Sequence, residues 1–222
     1  MDLDPLDFAS DLPDQFWHLY YQDDTAGLTV GVWTTTDMQE TFGPYPGDEF
    51  MVLLDGDVTF LDGAGLATNV RCGDAFAVKN GVATSWVQVG FCRKFFVIHN
   101  PPDRPTPETG QVKGGINILN EAKMSLSLHD TPATPGWRET LSHSSDTSEM
   151  RAGLCELSMD CQTARGAAEH EFVTVLSGQI DVMDGQGTQL FGANDSFFLP
   201  AGTQSTWSSN IDARALFCRV KA

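Results

Sequence analysis

Two glutamates head the same pattern, Glu49-FMVLLD-Gly56 and Glu171-FVTVLS-Gly178. Side chains on a strand alternate between faces, so Glu49 shares one with Met51 and Leu53. A carboxylate on an apolar face is costly to bury alone. It must find hydrogen-bond donors, a cationic ligand, or a raised pKa that equips it for acid–base work. Tyr45 and Thr84 are the candidate donors for Glu49. Lys79 is a candidate rim cation, for an anionic substrate or for Glu49 itself, unless it is a solvated loop lysine. Glu171 has poorer company in Ala167 and Ser205. Trp33, Trp86 and Trp207 are candidate wall residues, able to stack on a planar or cationic ligand or simply to fill core.

Other chemistries lack support. His18, His99, His129, His143 and His170 share no metal-type spacing, and alternation points His170 away from the face of Glu171, as a surface or interdomain residue. No glycine-rich phosphate loop opens a helix, and no Gly-x-Ser-x-Gly elbow occurs. Five cysteines without a CxxC pair read as reduced, buried thiols. With 13 Lys+Arg against 30 Asp+Glu the net charge is −17, which repels nucleic acid and anionic membrane surfaces. The acidic start MDLDPLDFASDLPD has no basic n-region or apolar h-region, so it does not read as a secretory signal. A cytoplasmic protein is expected.

The elements that must hold these residues are strands. Short β-branched or aromatic runs (28–33, 50–54, 58–61, 75–78, 86–89, 94–98) lie between turns such as Asp55-Gly56, Asp62-Gly63 and Asp184-Gly185. Only Asn120 to Leu128 suggests a short helix. The chain also repeats itself. Gly31 matches Gly153, Glu49 matches Glu171 and Gly56 matches Gly178 at an offset of 122; Asp74/Asp195, Gly81/Gly202, Trp86/Trp207 and Arg93/Arg214 follow at 121. Expected divisions are an N-terminal arm over 1–15, a first barrel over 16–100, a Pro-rich linker over 101–135 and a second barrel over 136–222.

The repeated unit resembles the cupin superfamily. The likeness rests on the two glutamate–glycine hairpins and on a second motif, Gly73-Asp74-AFAV-Lys79-Asn80-Gly81 before Thr84-Ser85-Trp86, echoed by Asn194-Asp195-SFFL-Pro200-Ala201-Gly202 before Ser205-Thr206-Trp207. The branch it resembles includes the ethanolamine-utilisation Q protein and the (S)-ureidoglycine aminohydrolases. The resemblance implies an all-β bicupin, two jelly-roll barrels forming an internal pseudo-dimer, with each glutamate inside its barrel. A metal-binding cupin would carry histidines where this chain has Gly43, Tyr45 and Thr84, or Arg165, Ala167 and Ser205. A register one residue longer gives Phe42 and Pro44, or Ala164 and Gly166. No metal and no cofactor are therefore expected.

Three functions fit. The first is a small-molecule-binding bicupin with its ligand in the first barrel, at Tyr45, Glu49, Thr84, Trp86, Trp33 and Lys79, and a lesser set at Glu171, Ser205 and Trp207. The second is a metal-independent or atypical-metal enzyme of aminohydrolase or isomerase type with Glu49 as general acid/base. The third is a structural pseudo-dimer with both pockets degenerate. A homodimer in which the arm Asp2 to Asp14 crosses to a partner is a further expectation.

Overall fold

The computed structural model describes residues 4–5, 14–125, 127–130, 136–166 and 168–222. The chain divides into two units, Met1–Ile118 and Leu119–Ala222. The first is built on a seven-stranded sheet in the order Asp4–Pro5, Gln15–Asp23, Leu28–Thr35, Cys92–His99, Asp48–Asp55, Ala75–Val78, Asn117–Ile118. Its second sheet runs Met38–Gln39, Ala83–Gln88, Val58–Leu61, Ala67–Val70, with Gly43–Pro44 also paired to Ala83–Gln88. The interior holds Trp33, Met51, Leu53, Phe60, Phe76 and Trp86. Burying each such side chain stabilises the barrel by about 1.5–3 kcal/mol. Phe50 and Val52, on the opposite face of the same strand, are buried as well.

The second unit repeats the scheme. Its larger sheet runs His129–Asp130, Trp137–Ser144, Met150–Leu157, Ala213–Lys221, Glu169–Ser177, Ser196–Leu199, and its smaller one Gln162–Gly166, Gln204–Ser208, Gln179–Asp184, Gly187–Gly192. Trp137, Val173, Val175, Phe197, Trp207 and Phe217 fill it. The helix expected near Asn120 forms over Glu121–Ser125, with Asn120 Oδ1 accepting from the Lys123 amide at 3.1 Å.

The repeated glycines are set by close backbone approach. A Cβ on Gly31 would meet the His18 carbonyl oxygen at 2.5 Å, and one on Gly153 would run into the Thr140 carbonyl. Both lie beside an irregularity in the neighbouring strand, between Leu19 and Tyr21 and between Leu141 and His143. Gly56 and Gly178 turn their hairpins at φ of 79° and 76°.

The Pro-rich segment does more than connect. Asn117–Ile118 adds a strand to Ala75–Val78, and Arg104 bonds the His99 carbonyl at 2.7 Å and the Asp48 carboxylate at 2.8 Å, so 101–118 belongs to the first unit. The arm expected to cross to a partner, and the turn from Thr131 to Pro135, lie outside the described residues apart from Asp4–Pro5 and Asp14.

Candidate functional site

Glu49 begins its strand inside the first barrel, with 5% of its surface exposed. Asp48 pins the strand start by accepting the Asn80 amide at 3.0 Å, while Asn80 Oδ1 accepts the Gly47 amide at 3.0 Å. The Tyr45 hydroxyl donates to Glu49 Oε2. Lys94 Nζ donates to Oε1 at 2.7 Å and lies 3.1 Å from Met51 Sδ. The same ammonium sits 5.0 Å from the Trp33 ring centroid and 4.8 Å from that of Trp86. The two indoles meet edge to face and are held by Gln15 and Gln88 at their Nε1–H groups. A buried carboxylate, a phenol and an ammonium thus close on one another between aromatic walls.

Burial, reinforced by Glu49, pushes the Tyr45 phenol well above its ordinary value, so it stays a proton donor. Loss of hydration raises the Glu40 carboxyl too, with Lys94 opposing the shift and Glu49 adding to it. Glu40 is exposed as a residue and electrostatically in touch with the pair.

Two expectations need correcting here. The cation on Glu49 is Lys94, not Lys79, because Lys94 stands opposite Trp33 and Leu53 in the ladders and so faces inward. Thr84 donates to the Leu61 carbonyl at 3.1 Å and supplies no bond to Glu49. Lys94 Nζ lies against Trp33 and Trp86, two of the walls expected for a first-barrel ligand.

Glu171, likewise 5% exposed, is held by two arginines. Arg165 Nη2 reaches Oε1 at 2.7 Å and Oε2 at 2.9 Å, and Arg219 Nε reaches Oε1 at 2.8 Å. Arg219 also grips Glu139, at 2.9 and 3.3 Å, and the Trp137 indole N–H donates to Glu139 at 2.9 Å. The Arg165 guanidinium lies 4.4 Å from the Trp137 ring and 4.9 Å from that of Trp207. Burial works against its charge, but Glu171 and Glu139 hold the Arg219 guanidinium above its ordinary value. Ser205 accepts the Trp207 indole N–H at 3.0 Å, so it orients the wall. A cavity of about 250 Å³ opens here, lined by Arg165, Glu169, Glu171, Leu199 and Arg219 among others.

Both barrels solve one problem with different residues. At the repeat offset Lys94 corresponds to Ala215 and Ile98 to Arg219, so the cation has moved along the last strand. Arg219 pairs directly with Glu171, where Ile98 pairs with Glu49. The second donor comes from the segment before each glutamate, Tyr45 in one and Arg165 in the other. Lys94, Arg219, Trp137 and Glu139 went unassigned in the sequence because their role depends on strand register. Arg165 stands at a motif position and carried a usable signal.

These donors do not suit a transition metal. Each glutamate already accepts bonds from nitrogen cations, and a divalent ion there would lie against an ammonium or a guanidinium. Among the described residues no three His, Cys, Asp or Glu side chains gather to hold a metal. Ala167, one former ligand position, lies outside the described residues. His170 is not on the surface. It is 4% exposed, accepts the Ala201 amide at Nδ1 and stacks on Phe198.

Residues 147–214 match the EutQ-like cupin domain, and each unit is built of two sheets. The chain has the cupin fold. It is similar to a protein of unknown function of the DUF861 family from Pseudomonas syringae pv. tomato, at 17% identity and a TM-score of 0.75, covering 91% of this chain and 85% of that one. A cupin 2 conserved barrel domain protein from Leptotrichia buccalis gives 10% identity and a TM-score of 0.67 over 100% and 98%. A salicylate 1,2-dioxygenase from Pseudoaminobacter salicylatoxidans gives 10% and 0.64 over 88% and 72%. At these identities the likeness establishes the cupin fold alone. No curated protein matches the chain. No helix among the described residues is long and apolar enough to cross a membrane.

Proposed function

We propose that this cupin binds a small polar molecule inside its second barrel, through side-chain chemistry and without a histidine-held metal. The observation that carries the reading is the cavity of about 250 Å³ into which Arg165, Glu171 and Arg219 project. Its volume lies below the roughly 300–1,000 Å³ of drug-sized ligand sites, which suits a small metabolite. In the first barrel the equivalent carboxylate is satisfied by Lys94 and Tyr45, which favours a bracing role there. The net charge of −17 agrees with a small-molecule partner rather than a nucleic acid.

The test is thermal unfolding of the full chain against organic acids, amines and neutral polar compounds. Leu199→Trp is the control, since Leu199 pairs with Glu171 on the inward face and a larger ring would fill the cavity. At least one class should raise the Tm of the wild type and leave Leu199→Trp unmoved. If no compound raises the Tm, or the shift survives in Leu199→Trp, the reading fails.

A second reading keeps catalysis in view, because a phenol, a carboxylate and an ammonium in one chain can carry a proton. In it Glu49 is the general acid/base, with Tyr45 assisting. Turnover of any substrate would then vanish in Glu49→Gln while the fold persists.

A further inference from the structure

Each barrel encloses a cation in a box made of one glutamate and two indoles. In the first, Lys94 Nζ donates to Glu49 at 2.7 Å and lies 5.0 and 4.8 Å from the Trp33 and Trp86 centroids. In the second, Arg165 donates to Glu171 at 2.7 and 2.9 Å, with its guanidinium 4.4 and 4.9 Å from Trp137 and Trp207. Glu49 corresponds to Glu171 and Trp86 to Trp207 across the repeat. The occupants do not correspond. Lys94 matches Ala215, and Arg165 matches Gly43, so neither counterpart has a side chain that reaches its glutamate. The box is kept while its cation arrives on a different strand, Cys92–His99 in one barrel and Gln162–Gly166 in the other.

The first box is also held together by bonds that do not involve its occupant. Trp33 donates its Nε1–H to Gln15 Oε1 at 3.0 Å, and Trp86 donates to Gln88 Oε1 at 3.3 Å. Phe60 packs edge to face on Trp86 at 5.1 Å. The Tyr45 hydroxyl engages Glu49 Oε2, which leaves Oε1 to the ammonium. A carboxylate oxygen and two indoles gathered around one point recognise a monocation. Walls fixed beforehand reduce the ordering cost of binding it.

We infer that the first barrel is a receptor for a small primary ammonium ion, with Lys94 as its built-in occupant. The site is separate from the second-barrel cavity. A neutral molecule in place of the ammonium would leave Glu49 buried without a countercharge, and an anion would repel it.

Lys94→Ala removes everything beyond Cβ, which is the carbon chain and ammonium of n-propylammonium. Thermal unfolding of the full-length variant is therefore followed at neutral pH with n-propylammonium, 1-propanol and propionate at matched ionic strength. n-Propylammonium should raise the Tm saturably, with an apparent affinity at least about tenfold above that of the other two, a gap of one charge-assisted contact. The wild type should show no saturable rise, because Lys94 fills the box. Adding Glu49→Gln to Lys94→Ala should erase the preference for the ammonium over 1-propanol. No saturable response, an equal response to 1-propanol, a preference that survives Glu49→Gln, or a saturable rise in the wild type overturns the assignment. Should Lys94→Ala fail to fold alone, its yield on refolding from urea decides. Recovery with n-propylammonium only is expected; recovery with none of the three, or equally with 1-propanol, overturns it.

Discussion

Arg219 stands directly across the sheet from Glu171 and donates its Nε–H to Oε1 at 2.8 Å. In the first barrel Ile98 occupies that place opposite Glu49, and Lys94 performs the task from further along the same strand. Two buried carboxylates are thus neutralised by side chains that are not equivalent in the repeat. The requirement for a cation is preserved although its position is not.

Removing the first-barrel cation should be severe. Lys94→Met keeps most of the volume but strands Glu49 in the core, and breaking a buried pair on one side costs about 3–5 kcal/mol. Glu49→Gln combined with Lys94→Met should recover much of that loss. Urea unfolding of both singles and the double closes the cycle; additive losses would contradict the pairing.

Gly31→Ala and Gly153→Ala should each destabilise by about 1–3 kcal/mol, because the new Cβ meets the neighbouring strand's carbonyl oxygen. Alanine at Gly65, where nothing lies near a new Cβ, offers a contrast in which only the φ of 77° opposes the change. Unfolding midpoints for the three variants check the order.

Acid should weaken the second barrel through Glu139. Burial alone would raise its carboxyl, but the hydrogen bonds from Arg219 and Trp137 prevail and hold it below the ordinary 4.5. The unfolded chain then binds the extra proton, so this stabilisation is complete above 4.5 and is lost as pH falls through the lower folded value. Urea midpoints measured from pH 6 to 3 should fall less steeply in Glu139→Gln than in the wild type.

Thiol reactivity should follow burial. Cys72 is exposed, whereas burial pushes the Cys92 thiol up to about 11 and raises Cys155 as well. At pH 8 the native protein should alkylate at Cys72 and spare Cys92, Cys155 and Cys218. Mass mapping of labelled peptides reads this, and modification of Cys92 without denaturant would contradict it.

Much of the architecture was legible because glycine and glutamate positions recur at a near-constant offset. The runs 58–61 and 75–78 match the observed strands, and the barrels follow the two motifs. The alternation of Glu49, Met51 and Leu53 likewise gives the inward face. The site was less legible, since a buried pair is defined by register across strands. Lys94 lies 45 residues from Glu49, and Arg219 48 from Glu171. Within 92–99 the lysine is one of two adjacent cations, Arg93 and Lys94, and its ladder partners Trp33 and Leu53 reveal that it is the one that points inward. Lys79 had the advantage of lying inside a motif, and adjacency in sequence proved the weaker guide.

The most direct test of second-barrel binding follows the Arg165 Nε–H resonance in ¹⁵N-labelled protein, assigned by its disappearance in Arg165→Lys, while organic acids, amines and neutral polar compounds are added in turn. A saturable shift of that signal with at least one class in the wild type, absent from Leu199→Trp, is the predicted result. A signal that stays fixed with every class, or that shifts equally in Leu199→Trp, would contradict the account.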